Sequence, residues 1–248
     1  MKFALFSLLP LVFVPHVLAQ SSEESKPLTL DGEFGLIVTT GNTETTSFKT
    51  KLSSHHELES WSNDYIAEAL YKQENIENDD GEEESQTSAQ KIFLSAQGNY
   101  KLDNPEYRLF GFSSYEDDRF SSFKYQATIA SGWSHKVWDD EYGKFEYSIG
   151  PGYSIAETNE GESANSIIAR GALDYRWKIS ETATFRQQFS TEVGADNTKS
   201  KSETSVSAQI NGGLAMKVSL TMDHNSDVDE DKEHLDTQTA VTVVYNFF

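Results

Sequence analysis

The last eight residues of the chain place an apolar side chain at every second position and stop on two adjacent aromatics. Val241, Val243, Tyr245, Phe247 and Phe248 supply these side chains. At the end of a soluble domain, such a strand would leave an apolar edge that frays or aggregates. In a closed barrel the last strand pairs with the first, and a terminal aromatic lies at a membrane interface. The pattern therefore predicts the closing strand of a transmembrane β-barrel, with these five residues as its assembly signal.

Both ends of the chain carry signals for export and assembly. The spacing Tyr245-x-Phe247 resembles the C-terminal signal of bacterial outer-membrane proteins, which implies the barrel-assembly machinery as a partner. The N-terminus has one basic residue, Lys2, then an apolar run over 3–14 and a small residue at Ala19. This order predicts a secretory signal peptide over 1–19, because the apolar run is too short for a membrane-spanning helix. We expect a polar tail over 20–27 and one barrel domain over 28–248.

The composition excludes several classes of function. The chain has 248 residues, a formal net charge of −20 and no cysteine. Thiol catalysis and disulfide bonds are therefore excluded, and the acidic balance argues against nucleic acid as a partner. A mean hydropathy of −0.56 is compatible with a membrane barrel, since only every second residue of a membrane strand faces lipid.

The chain alternates with period two along about twelve segments of about 10–15 residues each. One face of every segment can be assigned without Asp, Glu, Lys or Arg, while the other face is polar. A soluble β-sandwich shows the same alternation, so the alternation alone does not decide the fold. The segments are long for soluble strands, aromatics cluster near their ends, and glycines such as Gly98, Gly111 and Gly171 lie on the apolar face. These features favour an all-β fold, a transmembrane antiparallel barrel of about twelve strands of the outer-membrane type.

Several short stretches together resemble a known family. They are Thr40–Thr46, Tyr115–Phe120, Gly150–Tyr153, Asp196–Thr198 and His224–Asp227. In order and spacing they are similar to the YdiY-like salt-induced outer-membrane proteins, a family of unknown function. The resemblance implies a barrel in the outer membrane of a Gram-negative bacterium, in contact with lipid and lipopolysaccharide. An even strand number would place both termini in the periplasm, as the signal peptide and the C-terminal signal require. It implies no reaction and no cofactor, and the family label raises a link to salt or osmotic stress. We expect a monomer.

The inward positions hold most of the lysine and arginine. We expect the lumen to favour small anions, through residues that share a positive charge and an inward parity: Lys49, Lys51, Lys124, Arg170, Arg176 and Arg186. Charge at this density needs either water or mutual pairing. The sequence is thus compatible with a narrow small-solute channel and with a salt-bridged structural component of the envelope.

Two other functions are compatible with the sequence. A lipid-modifying hydrolase could use Ser226 or a neighbour with His224. Adjacent residues on a strand point to opposite faces, however, so the run 224–227 cannot form a triad by itself. A soluble periplasmic β-protein would show the same alternation. Gly150-Pro151-Gly152 lacks the helix and basic residue of a phosphate loop, so it predicts a bend or bulge of the barrel wall. The acidic loops lack the spacing of a calcium loop. We therefore predict no metal site, no cofactor and no catalytic residue.

Overall fold

The computed structural model describes residues 27–39, 45–77, 83–119, 121–228 and 233–248. The predicted signal peptide and residues 20–26 of the predicted tail lie outside this part of the chain. No helix within the described ranges is long and apolar enough to cross a membrane. The described residues form twelve antiparallel strands, β1 to β12 in chain order: Leu28–Thr39, Thr45–Glu57, Trp61–Glu77, Glu83–Lys101, Tyr107–Asp118, Phe123–Asp139, Gly143–Thr158, Ser166–Lys178, Ala183–Val193, Thr198–Asn211, Leu214–Asn225 and Leu235–Asn246.

The twelve strands close into one barrel in which each strand pairs with its neighbours along the chain. Closure is made by β12, which pairs with β1 from Asp31 opposite Asn246 to Phe34 opposite Val243. The amide of Phe247 continues this seam by donating to the carbonyl of Leu30 at 2.9 Å. The predicted barrel class and the predicted role of the last strand are both confirmed.

The two ends of the barrel differ in their connections. At one end, which we call the turn end, the connections are 58–60, 102–106, 140–142, 179–182 and 212–213. At the other, the loop end, the connections are 40–44, 78–82, 119–122, 159–165, 194–197 and 226–234. Because the strand number is even, the start of β1 and the end of β12 both lie at the turn end.

The outer surface of the barrel is apolar. Ile129, Ile149 and Ile167 point outward with 58%, 60% and 77% of their surface exposed, which is stable only against lipid. Aromatic side chains form a girdle near the turn end, where neighbouring strands bring their rings into contact. The pairs include Trp61 with Tyr100 and Tyr107 with Trp133, both with ring centroids 5.2 Å apart, and Trp138 with Phe145 at 5.0 Å.

The outer face of β9 and β10 departs from this pattern, because it carries amide and hydroxyl groups. The amide of Gln187 donates to Ser202 at 3.0 Å and accepts a hydrogen bond from Thr204. Nearer the loop end, the hydroxyls of Thr191 and Ser200 lie 2.8 Å apart. These groups satisfy one another across the two strands, so they can face lipid without water.

Two local predictions are corrected. The alternation through Tyr125 and Ile129 predicts that Phe123 faces lipid, but Phe123 is only 4% exposed, because a β-bulge at Lys124 shifts the register between Phe123 and Tyr125. The alternation ends near residue 75 and resumes near 87, which predicts an acidic loop over 77–86. The loop is shorter, since Glu77 pairs with Glu83 and strands β3 and β4 extend into the predicted loop. The alternation failed at both places because it carries no information on bulges or on hairpin length.

The Gly150-Pro151-Gly152 segment lies within β7 and does not interrupt it. Its pairing with β8 is continuous, from Gly150 opposite Arg170 to Gly152 opposite Ile168. On the other side, the ladder between β6 and β7 skips the residues between Ala130 and Trp133. A Cβ atom at Gly132 or Gly150 would collide with the backbone of the facing strand, so these glycines permit a close approach of the two strands.

The outward position of the closing strand can be tested by charge insertion. Val241 is 51% exposed near the middle of β12, so Val241→Arg should lower the free energy of unfolding by about 2–4 kcal/mol. Phe248→Arg, at the end of the chain, should cost only about 0–1 kcal/mol. The measurement is reversible denaturant unfolding in phospholipid vesicles. Equal costs at the two positions would contradict the assignment of Val241 to the middle of the lipid-facing band.

Candidate functional site in the barrel lumen

The charged side chains of the strands point into the barrel lumen. The alternation that turns Val241, Val243 and Tyr245 toward lipid turns the intervening residues inward, and the same parity applies to every strand. Buried inward residues include Lys49, Lys51, Glu68, Arg108, Glu116, Arg170, Glu203 and Lys217, each at most 9% exposed. Charges buried to this extent are stable only when paired or hydrogen-bonded.

A central network links four charged groups from β1, β2, β10 and β11. The Lys217 ammonium lies 3.0 Å from the Glu33 carboxylate and 2.7 Å from that of Glu203. The other oxygen of Glu203 lies 3.2 Å from the Lys51 ammonium. Lys49, next inward on β2, lies 3.6 Å from Glu68 and donates to Gln238 at 3.1 Å. Two lysines of the predicted site therefore belong to paired clusters and are not free charges.

A loop-end network spans the width of the lumen. The Lys91 ammonium on β4 lies 3.1 Å from Glu116 on the adjacent strand and 3.5 Å from Asp223 on β11, five strands away around the barrel. Lys199 on β10 lies 2.7 Å from Glu116 and donates to Gln126 at 2.6 Å. These side chains meet across the lumen at this level.

The turn end holds separate pairs of charges. Arg186 donates two hydrogen bonds to the carboxylate of Asp174, at 3.0 and 2.5 Å. Arg176 lies opposite Arg186 in the strand register and is exposed at this mouth. His55 contacts Asp64 at 2.7 Å and Glu57 at 3.2 Å. The mouth therefore carries charges of both signs, with Arg176 the more accessible guanidinium of its pair.

Arg170 is held differently from the other lumen charges. Its guanidinium lies 3.6 Å from the centroid of the Phe112 ring, and its Nε lies 3.6 Å from Glu192. Although Arg170 is only 6% exposed, its Nε and Nη1 atoms have no hydrogen-bond acceptor. Glu192 instead accepts a hydrogen bond from Thr128 at 2.8 Å. Arg170 is thus a buried cation that lacks hydrogen-bonded partners for these two nitrogens.

Five of the six predicted lumen residues face the interior, and Lys124 does not line it. Lys124 is the bulged residue near the loop end, with a side chain that is 65% exposed and 2.9 Å from Glu157. Its inward parity was read from an uninterrupted strand, and the bulge removes that parity. Lys49, Lys51, Arg170 and Arg186 each contact a carboxylate, so pairing neutralises much of the predicted positive charge.

Three aromatic residues of the lumen were missed by the sequence analysis. Phe110 and Phe112 point inward from β5, and Phe93 lies 4.9 Å below the ammonium of Lys201, six strands away. A signal for them was present, since Phe110 and Phe112 share the parity of Arg108. The expectation that aromatic residues of a membrane barrel face lipid does not account for aromatic rings that pack against cations inside the barrel.

The residues of the hydrolase hypothesis do not form a catalytic arrangement. The Ser226 hydroxyl accepts a hydrogen bond from the Thr198 amide at 2.7 Å and contacts Asn197 at 3.3 Å. His224 instead stacks on His234, with ring centroids 6.4 Å apart. Within the described ranges, Ser226 has no hydrogen bond to an imidazole, and it serves to connect two loops.

Metal coordination was also considered. Among the described residues, no group of three or more His, Asp or Glu side chains is placed to hold a metal ion. The predicted acidic segment at 78–82 lies outside those residues. Asp118 and Asp223, near the loop end, lie within 3.7 Å of the Lys91 ammonium.

A closed antiparallel barrel with an apolar exterior, an aromatic girdle and a charged interior defines a transmembrane β-barrel of the outer-membrane type. Residues 32–247 match the family described as "Protein of unknown function, DUF481", and the chain belongs to this family. It is 23% identical over 231 residues to the uncharacterized protein YdiY of Escherichia coli strain K12, covering 93% of this chain and 87% of that protein. The YdiY-like resemblance inferred from sequence is confirmed.

Solved structures share the architecture at low sequence identity. The NanC porin matches with a TM-score of 0.54 and 10% identity, covering 88% of this chain and 100% of that one. The COG4313 outer-membrane channel from Pseudomonas putida F1 matches with a TM-score of 0.50 and 8% identity, covering 92% of this chain and 100% of that one. These similarities establish the fold.

The central network can be tested by removing one partner. Glu203→Gln should lower the free energy of unfolding by about 3–5 kcal/mol, because it leaves Lys51 and Lys217 without their shared carboxylate. Lys124→Gln serves as the control, since its exposed pair with Glu157 should not affect stability measurably. Denaturant unfolding in vesicles measures both. A Glu203→Gln protein as stable as the parent would show that the network does not stabilise the barrel.

Proposed function

We propose that the protein is a narrow outer-membrane channel for small solutes and that it has no catalytic role. The observation that carries this proposal is the series of paired charged side chains that line the lumen from the loop end to the turn end. Replacing buried ion pairs by apolar residues of similar volume is often neutral or stabilising, so stability alone is a weak reason to retain them. Charges along a hydrated path would instead serve solute passage.

The fold supports the same proposal. Barrels of this architecture include a porin and an outer-membrane channel, so the architecture can enclose a conducting lumen. A structural role in the envelope is a second candidate, which the pairs between distant strands, such as Lys91 with Asp223, favour. In that case the lumen would be a solid core. Conductance separates the two candidates.

We propose an outer-membrane location with the loop end outside the cell and the turn end, with both termini, in the periplasm. Long outer loops and short periplasmic turns are the usual arrangement of such barrels. The predicted signal peptide would deliver the chain to the periplasm, and the barrel-assembly machinery would then insert it as a monomer in contact with outer-membrane lipid and lipopolysaccharide. A role in salt or osmotic stress is part of this proposal, since ionic strength weakens the charge pairs at the lumen mouths.

Planar-bilayer recording of the refolded protein tests the channel. We expect small conductance steps with a weak anion preference, because Arg176 lies exposed at the turn-end mouth while most other lumen cations are paired. The preference should decrease between 0.1 and 1 M salt, as the Debye length falls from about 10 to about 3 Å. Arg176→Gln should reduce it further. An unmodified protein that inserts but does not conduct would favour the structural role.

Protease treatment of intact cells tests the orientation. The connection 226–234 should be cut, because it is long and lies at the loop end. Asn104 and Gly212 lie in short connections at the turn end and should be protected until the outer membrane is permeabilised. Cutting at Asn104 on intact cells would invert the proposed orientation.

A further inference from the structure

We infer that solutes pass along one side of the lumen, the wall formed by β6 to β9, and that Arg170 resting on Phe112 is the constriction that closes and selects along this path. The inference deepens the proposed channel function and rests on it. It assigns the position of the path, its gate and its charge selectivity to particular residues.

The first observation is the asymmetry of the lumen lining. Inward positions in the middle of β6 to β9, which we call the small-residue wall, carry short side chains: Ala130, Gly132, Ser134, Ser148, Gly150, Gly152, Ala172 and Ser190. The opposite side carries the central network, in which Lys217 alone contacts two carboxylates. Opening that side would break several ion pairs at once. On the side of the small-residue wall, Arg170 instead reaches from β8 to the Phe112 ring on β5.

The second observation is how weakly Arg170 is held. It projects from β8 opposite Gly150 and extends to Phe112 on β5, three strands away. It has one ring contact and one 3.6 Å ion pair, and its Nε and Nη1 lack hydrogen-bond acceptors. A buried guanidinium with unsatisfied donors gains by moving toward water or a small anion. Arg170 therefore has a physical reason to leave its closed position.

The third observation is a cleft at the loop end on the same side of the barrel. Strands β6 to β10 and their loops line it, with apolar residues that include Phe123, Ala156 and Ile168 and charged residues that include Glu192 and Lys199. Ile168 precedes Arg170 by one inward position, and Glu192 is the ion-pair partner of Arg170. The cleft thus leads down to the Arg170 constriction. Arg176 and Arg186 lie at the turn-end mouth below it, on β8 and β9.

The pairing of Arg170 with Glu192 makes the sign of the selectivity testable. Each residue contributes one charge at the same level of the path, so removing one leaves the other uncompensated. Arg170→Ala should raise the single-channel conductance by roughly two-fold or more and shift the selectivity toward cations. Glu192→Gln should shift it toward anions. Arg170→Lys, which keeps the charge, should retain most of the parental selectivity. Arg108→Gln, two inward positions before Phe112 on β5 and bonded to Pro105, serves as the arginine control.

Cysteine labelling locates the path independently of conductance. Because the chain has no cysteine, single variants give an unambiguous signal. Ser148→Cys and Ser190→Cys report on the small-residue wall, while Ser205→Cys and Ser219→Cys report on the side that carries the central network, next to Glu203 and Lys217. A water-soluble methanethiosulfonate reagent should label the first two about ten-fold faster when Arg170→Ala is added, and the second two at an unchanged rate. Heat-modifiable mobility on SDS gels identifies variants that have assembled.

The outcomes separate the two proposals. A parent protein without conductance would overturn the channel function, whatever the labelling shows. Conductance in the parent, with equal or faster labelling at Ser205→Cys and Ser219→Cys in the Arg170→Ala background, would overturn the path along the small-residue wall. Unchanged conductance, selectivity and labelling in Arg170→Ala would overturn the gate. Increased labelling at Ser148→Cys together with a cation shift in Arg170→Ala would support both.

Discussion

The structure depends on the satisfaction of backbone hydrogen bonds where no water can provide them. Inside a bilayer each unpaired N–H or C=O group costs several kcal/mol, so a sheet must close on itself. Here β12 closes the barrel by pairing with β1 beside Phe34, and the last residues extend that seam. Closure then divides every strand into a lipid face and a lumen face, and all other features of the molecule follow from this division.

The same division explains why charge accumulates inside. A strand that must show lipid an apolar face has only its inward positions left for Lys, Arg, Asp and Glu. The central and loop-end networks pair most of these groups, and Lys91 with Asp223 shows that pairing extends across the lumen. Polar groups on the lipid face are also paired with one another, since Gln187 bonds to Ser202 and Thr204.

Arg170 differs from the paired charges of the lumen in its hydrogen bonding. A cation that stacks on Phe112 and leaves Nε and Nη1 without acceptors is a local exception to the rule that buried polar groups are satisfied. Such exceptions concentrate at functional sites, where incomplete satisfaction permits movement.

The sequence by itself determined the fold class, the closing strand and the two faces, because period-two alternation and a terminal apolar strand are local properties. It also placed Lys49, Lys51, Arg170 and Arg186 inside. The tertiary structure alone decided which charges meet, since Lys51 and Glu203 are brought together by barrel closure. It also decided the position of Lys124. A one-residue bulge moves this side chain out of the lumen to the rim, and no pattern in the sequence reveals the bulge. Parity is counted along a strand, whereas partners are set by curvature and register around the barrel.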